Sequence, residues 1–282
     1  MFVDIADDFD LKKIADSGQC FRWQEYADPE TGLSGYAIPV GNHILHIVPT
    51  AEANRYSVSC TEEEWNGFWS DYFDLQTSYV DIRARIDKED DPYLAAAADS
   101  GRGIRILRQD PWETLITFII SQRKSIPAIR GCVEKICRAA GESLKDSKAL
   151  YSFPTARQLA ALSTEQLSAC GLGYRTKYIA EVSCLAAEGQ LDFSSMQQLS
   201  DDDLLAALME LHGVGIKVAS CVMLFGFHRM NAFPKDVWIN RLLQEHYPEG
   251  FPLERYEPYN GVMQQYLFWY RRQESLEKYK GV

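Results

Sequence analysis

Two glycines, a lysine and an aspartate between residues 213 and 236 carry the chemistry most readily read from this sequence. Gly213-Val214-Gly215 separates two amphipathic stretches, LLAALMEL and KVASCVMLFG, and leaves only residues 211–216 to reverse the chain. Glycines there let the backbone turn sharply and approach a partner closely, and the second helix opens with main-chain N–H groups that have no partner within the helix. Such a hairpin can hold a phosphate by backbone hydrogen bonds and the helix dipole, without positive side chains. Lys217 follows two residues after Gly215, and Asp236 lies nineteen residues further on, in FPKDV. An amine and a carboxylate are residue types suited to covalent attack on an electrophilic carbon and to stabilising a developing cation. Taken singly, the glycines also fit a plain structural turn and the lysine a solvated side chain.

The elements that must position these groups fall into two kinds. Residues 18–60 read as strands: GYAIPV and HILHIVPT flank the two-residue turn Gly41-Asn42, and YSVSC follows a polar break, which predicts an antiparallel sheet. A helical stretch with aromatic spacing, WNGFWSDYF, leads to the acidic run DKEDDPY, a surface boundary. From Asp110 onward the signals are helical. Asp110, Pro111 and Glu113 open PWETLITFIISQ in the manner of a capping box; Ser125 and Pro127 open AIRGCVEKICRAAG, which Gly141 stops. Further helices are predicted at TARQLAALS, TEQLSACG, KYIAEVSCLAAEG, DDDLLAALMEL, IKVASCVMLFG and YNGVMQQYLFWYRRQ. The predicted fold class is α+β. A small N-terminal antiparallel-sheet domain spans 1–105, and an all-helical two-lobed body follows, as a helical domain over 106–195 and a helix-hairpin-helix region with the C-terminal helix over 196–282.

At 282 residues, 46% of them hydrophobic, the chain is long enough for more than one packed unit. MFVDIADDFDLKK lacks the basic flank and apolar core of a secretory signal, and no run approaches the roughly 18 apolar residues of a membrane span, so a soluble intracellular protein is expected. The seven cysteines are odd in number and scattered, with no CxxC and none after Cys221, and are read as free thiols. The five histidines are dispersed, and His43 and His46 fall on opposite faces of a strand; neither a metal nor another cofactor is expected. A net charge of −11 argues against a nucleic-acid partner, but the average conceals a segment. Residues 1–100 hold 7 basic and 20 acidic side chains, residues 101–150 hold 10 and 5, and the remainder 12 and 15.

The hairpin with Lys217 and Asp236 resembles the helix-hairpin-helix of the DNA glycosylase superfamily, whose signature combines Gly-hydrophobic-Gly, a catalytic lysine shortly after it, and an aspartate about twenty residues later. Further segments narrow the resemblance to the 8-oxoguanine DNA glycosylase/lyase family and together span nearly the whole chain: SGQCFRW (Ser17 to Trp23), LRQDP (Leu107 to Pro111) and GLGYR (Gly171 to Arg175). The resemblance implies that Lys217 attacks the anomeric carbon to form an imine, that Asp236 orients it and stabilises the sugar cation, and that elimination of the 3′ phosphate follows as lyase activity. It implies that the Gly18 carbonyl accepts the extra ring hydrogen distinguishing 8-oxoguanine from guanine, that Cys221 and Phe268 pack on the two faces of the extruded base, and that Gln264 reads its Watson–Crick edge. Tyr174 inherits the role of a wedge in the duplex, Arg175 that of a contact to the orphaned base, and Gly213, Val214 and Gly215 that of the phosphate-holding hairpin.

The departures bear on the opposite base. Where eukaryotic members carry a run of asparagines, this chain has Ser121-Gln122-Arg123-Lys124-Ser125; where they place a second cytosine-reading arginine it has Ala128; and Trp238 stands in place of a phosphate-contacting histidine. Arg123 and Lys124 are cations suited to phosphate or to an unspecific carbonyl contact, so relaxed opposite-base preference is expected. The implied partner is double-stranded DNA containing a damaged base, met by a monomer in the cytoplasm, at the nucleoid, or in a nucleus. Two other readings are an alkylated-purine glycosylase of the same superfamily, against which Lys217 and Gly18 count, and a non-catalytic helix-hairpin-helix DNA-binding module, which leaves Asp236, Gln264 and SGQCFRW without a use.

Overall fold

The computed structural model describes residues 1–144 and 150–280. Its N-terminal part holds five antiparallel strands, β1 (Phe2–Asp4), β2 (Gln24–Ala27), β3 (Ser34–Val40), β4 (His43–Pro49) and β5 (Arg55–Val58), in the order β1-β5-β4-β3-β2. β3 and β4 form the expected hairpin, Val40 facing His43 across Gly41-Asn42. Ile38, Leu45 and Ile47 are fully buried and pack with Trp65, Trp69 and Phe73. β1 lies ahead of the stretch expected to be strands. Three residues show no alternation to read, and only pairing with β5, Val3 opposite Tyr56, makes them one.

The helices begin where the start signals lie, although Ser125 makes no side-chain cap and the Glu113 carboxylate turns to Arg22 rather than back to Asp110. Asp110 caps the helix Pro111–Ser121, its carboxylate accepting from the Glu113 N–H at 2.8 Å. Residues 114–120 of this helix are all buried, as befits a helix apolar on every side that runs through a core. Around it stand Ile126–Ala140, Thr176–Ala187, Asp201–Met209, Ile216–Phe225 and Asn260–Lys280, all at predicted helical stretches. Val237–His246, Tyr79–Ala84 and Pro92–Ser100 are helices that the sequence reading did not single out.

The packing does not divide at residue 105. A smaller core joins the sheet to residues 62–73 and Leu107, whereas Tyr79, Leu94 and Ala98 sit in a larger core with Phe118, Val222 and Leu267. The small face of Pro92–Ser100 has no apolar partner nearby in sequence; the C-terminal helix supplies one, with Tyr266 against Gly101. The segments expected as lobes over 106–195 and 196–282 share that larger core. Phe21, within SGQCFRW, also turns into it and packs edge-on against Phe118 with centroids 5.6 Å apart. The N-terminal unit is thereby clamped onto the helices that carry Lys217 and Asp236.

Candidate active site

The hairpin begins where Asp201–Met209 ends and Ile216–Phe225 starts. Gly213 has φ +84, and a Cβ there would stand 2.4 Å from the Tyr178 ring, so only glycine fits. Val214 is buried beneath the turn and donates its N–H to the Leu211 carbonyl at 3.0 Å. Gly215 is the exposed N-cap of the second helix and no side chain caps that end. Unfilled N–H groups at such a helix start face solvent with the positive end of the dipole.

Lys217 stands in the first turn of this helix, half-buried, its Nζ 5.1 Å from the centroid of the Phe118 ring. It opens onto a cleft of about 720 Å³. One bank is the segment 121–127 with Arg123 and Lys124, the other is Lys235, Asp236, Trp238 and Asn240, and Gly18 and Phe268 lie between. An inner recess of about 50 Å³ continues from it, and Gly18, Lys217, Cys221, Asp236, Gln264 and Phe268 all line that recess. These are the six residues expected to bind and cleave, drawn from three segments that lie up to 250 positions apart in the chain. With a water taking roughly 30 Å³, the recess is smaller than a purine. Phe268 fills the rest: its Cε1 lies 3.3 Å from where a Cβ on Gly18 would stand.

Asp236 is fixed by its own helix. It is the N-cap of Val237–His246, and its Oδ1 accepts from the Ile239 N–H at 2.8 Å, which holds the carboxylate at the mouth of both cavities. Cys221, one turn after Lys217, is buried; burial pushes its thiol up, with the Lys217 amine acting in the opposite direction. Gln264, which spacing alone would leave facing solvent, is buried and accepts from Gln265 Nε2 at 2.9 Å.

The residues expected to meet DNA form a second group, braced beside the cleft rather than inside the recess. Gln122 Nε2 donates to the Gly213 carbonyl at 3.0 Å, Lys124 Nζ donates to the Gly171 carbonyl at 3.0 Å, and the Arg175 guanidinium donates to the Gln122 carbonyl. Three loops are thus tied together. Tyr174 projects outward, 49% exposed, edge-on to Tyr178. Arg175 does not project: it is 5% exposed, with its guanidinium 4.3 Å from the Tyr174 ring centroid. Ala128 is exposed beside this group.

Several arginines of the chain are neutralised locally. Arg22, Arg83, Arg102, Arg105 and Arg108 are engaged with Glu113, Asp8, Asp7 and Asp74. Among the described residues Arg123, Lys217 and Lys235, all lining the cleft, are in no ion pair. Lys145 and Lys148, part of the basic segment, lie outside the described residues. Sequence reasoning missed Lys235 and Arg272. Arg272 lines the cleft with its guanidinium 5.6 Å from the Phe268 ring, and donates to the Asp16 carbonyl at 2.5 Å. The one-turn spacing that links Gln264 to Phe268 reaches Arg272 in one further step.

Against known proteins, residues 3–115 match the model of the 8-oxoguanine DNA glycosylase N-terminal domain, and residues 116–250 that of the HhH-GPD superfamily of base excision DNA repair proteins. An N-glycosylase/DNA lyase of Saccharomyces cerevisiae is 39% identical over 84% of this chain and 68% of its own length. A probable N-glycosylase/DNA lyase of Methanothermobacter thermautotrophicus is 28% identical over 95% of both chains. The Clostridium acetobutylicum 8-oxoguanine glycosylase/lyase, solved with double-stranded DNA containing cytosine opposite 8-oxoguanine, superposes with a TM-score of 0.85 at 33% identity over 98% of both chains.

Proposed function

Because this chain belongs to the 8-oxoguanine DNA glycosylase/lyase family of helix-hairpin-helix proteins, we propose that it flips 8-oxoguanine out of duplex DNA and excises it through Lys217, with associated lyase activity. The observation that carries this is the convergence of Gly18, Lys217, Cys221, Asp236, Gln264 and Phe268 on one recess. The Lys217 amine attacks C1′ as the bond from C1′ to the base breaks; the base leaves with the electron pair and takes up a proton. The Asp236 carboxylate stabilises the positive charge on the sugar, and its cap hydrogen bond fixes it in place before the charge develops. Loss of the amine's proton and opening of the sugar give the imine. Removal of a C2′ proton then expels the 3′ phosphate, and water releases Lys217.

Entry of a purine requires the Phe268 ring to move off Gly18. Duplex binding is assigned to the hairpin N–H groups of Gly213, Val214 and Gly215, to the cations Arg123 and Lys124, and to Tyr174 as wedge. Ala128 offers the orphan base no hydrogen-bonding group, and Arg175 is held inward on the Gln122 carbonyl; both features support relaxed opposite-base preference. The recess is completed within one chain, which supports action as a monomer. No helix among the described residues is long and apolar enough to cross a membrane; the proposed workplace is the nucleoid or nucleus.

Incubation with an 8-oxoguanine duplex in the presence of borohydride tests the reading. A covalent adduct that is lost in Lys217→Gln is expected. Free base without an adduct would favour the monofunctional alkylated-purine reading, and neither product a module that only binds DNA.

A further inference from the structure

The recess straddles two cores that must be held in register. Gly18 follows the helix Leu11–Asp16 of the smaller core, whereas Lys217 and Cys221 stand on a helix of the larger. Immediately past that helix the chain winds back toward the N-terminal unit, with Phe227 N–H on the Val222 carbonyl at 3.0 Å and Arg229 N–H on the Met223 carbonyl at 2.8 Å. Between them His228 places Nε2 3.5 Å from Asp74 Oδ2. That length is longer than a well-formed hydrogen bond, and Nε2 has no nearer hydrogen-bond partner.

Asp74 is fully buried and belongs to the turn that ends the smaller core. Tyr79 donates its hydroxyl to Oδ2 at 3.1 Å, and Arg108 Nη2 lies 2.9 Å from Oδ1. Burial works to raise this carboxyl, and His228 and Arg108 outweigh it, holding it below the usual carboxylate range. Both partners occupy the left-handed backbone region, Asp74 at φ +54 and His228 at φ +53. Non-glycine residues keep that conformation where their surroundings over-determine it, and such strain concentrates where geometry matters to function. Eight residues after His228 the same loop delivers Asp236.

We propose that His228 is a positioning residue, whose contact with Asp74 locks the helix bearing Lys217 and Cys221, and the loop delivering Asp236, against the core that presents Gly18. This rests on the glycosylase reading of those four residues.

The test uses the full chain carrying H228G or H228N. Glycine adopts φ +53 without strain, so H228G removes the imidazole without imposing a new backbone conformation. Its single-turnover excision of 8-oxoguanine should fall about 10- to 100-fold, the scale of a displacement near 1 Å at reacting groups, with duplex Kd within about twofold of the parent and an unchanged melting temperature. Asparagine tolerates the left-handed region and carries an amide donor toward Asp74, so H228N should be faster than H228G. An H228G rate within about fivefold of the parent, a loss tracked by affinity or melting temperature, or an H228N rate no better than H228G, would each overturn the proposal. An inactive parent would remove the glycosylase reading and this one with it, whereas an active parent beside an unimpaired H228G removes only this one.

Discussion

The two hairpin glycines make opposite predictions, and the pair separates what the hairpin does for the fold from what it does for DNA. In Gly213→Ala the left-handed backbone costs about 1 kcal/mol. The new Cβ would stand 2.4 Å from two Tyr178 ring carbons, where ordinary contact is 3.4–4 Å. Relief needs a ring shift on the order of 1 Å, and that ring is held edge-on by His212 at 4.6 Å and Tyr174 at 6.0 Å. Overpacking of this kind costs about 1–3 kcal/mol. Together the loss is about 2–4 kcal/mol, or a melting temperature lower by about 4–8 °C at roughly 2 °C per kcal/mol for a chain of this size. Gly215→Ala differs in every respect. Its φ is −94 and nothing lies within 4 Å of the added Cβ, so the methyl adds no backbone strain and no overlap, and the fold should lose at most about 1 kcal/mol, the cost of alanine in place of glycine at an N-cap. That methyl, however, projects from the N-cap where a phosphate would sit, and duplex Kd should rise about tenfold, equivalent to roughly 1.4 kcal/mol. Thermal melts and fluorescence anisotropy with a duplex bearing an uncleavable abasic analogue measure both effects. A Gly215→Ala protein that binds within twofold of the parent would refute backbone capture of phosphate at this hairpin, and an unshifted melt for Gly213→Ala would refute the strain argument.

Lys217→Gln should abolish borohydride trapping and strand cleavage while leaving duplex affinity largely intact, because phosphate is assigned to backbone N–H groups; unchanged incision would remove the central proposal. Asp236→Asn preserves the helix cap, since asparagine caps as well as aspartate, yet should cut turnover by about 10²-fold or more; normal turnover with an unchanged melt would leave the carboxylate a purely structural role. Single-turnover excision from four duplexes differing only in the base opposite 8-oxoguanine should show cytosine preferred by less than about a hundredfold, roughly two good contacts' worth, and a larger preference would defeat the relaxed-specificity reading. Ala128→Arg should sharpen that preference, and no change would place orphan-base reading elsewhere.

What the sequence determined by itself was local. The helix start at Asp110 needs only a capping side chain and the residues just after it, and the β3–β4 hairpin needs only Gly41-Asn42 between two alternating runs. The Gly213-Val214-Gly215 turn, with Lys217 in the helix behind it, is likewise fixed by contiguous residues. Motif resemblance then extended this to six residues of the recess, of which only Lys217 with Cys221 and Gln264 with Phe268 are held together within one helix. Tertiary packing decided the rest. β1 exists because β5 pairs with it, and Pro92–Ser100 joins the larger core because the C-terminal helix covers its small face. Arg175 has the length and charge of a residue that reaches outward, and turns inward only because the Gln122 carbonyl and the Tyr174 ring receive it. His228 and Asp74 lie 154 positions apart, and only the meeting of two cores brings the imidazole within 3.5 Å of the carboxylate. Spacing along one helix or turn can be read from one stretch of chain; a contact whose stability depends on two separately folded surfaces cannot, because its free energy resides in neither stretch alone.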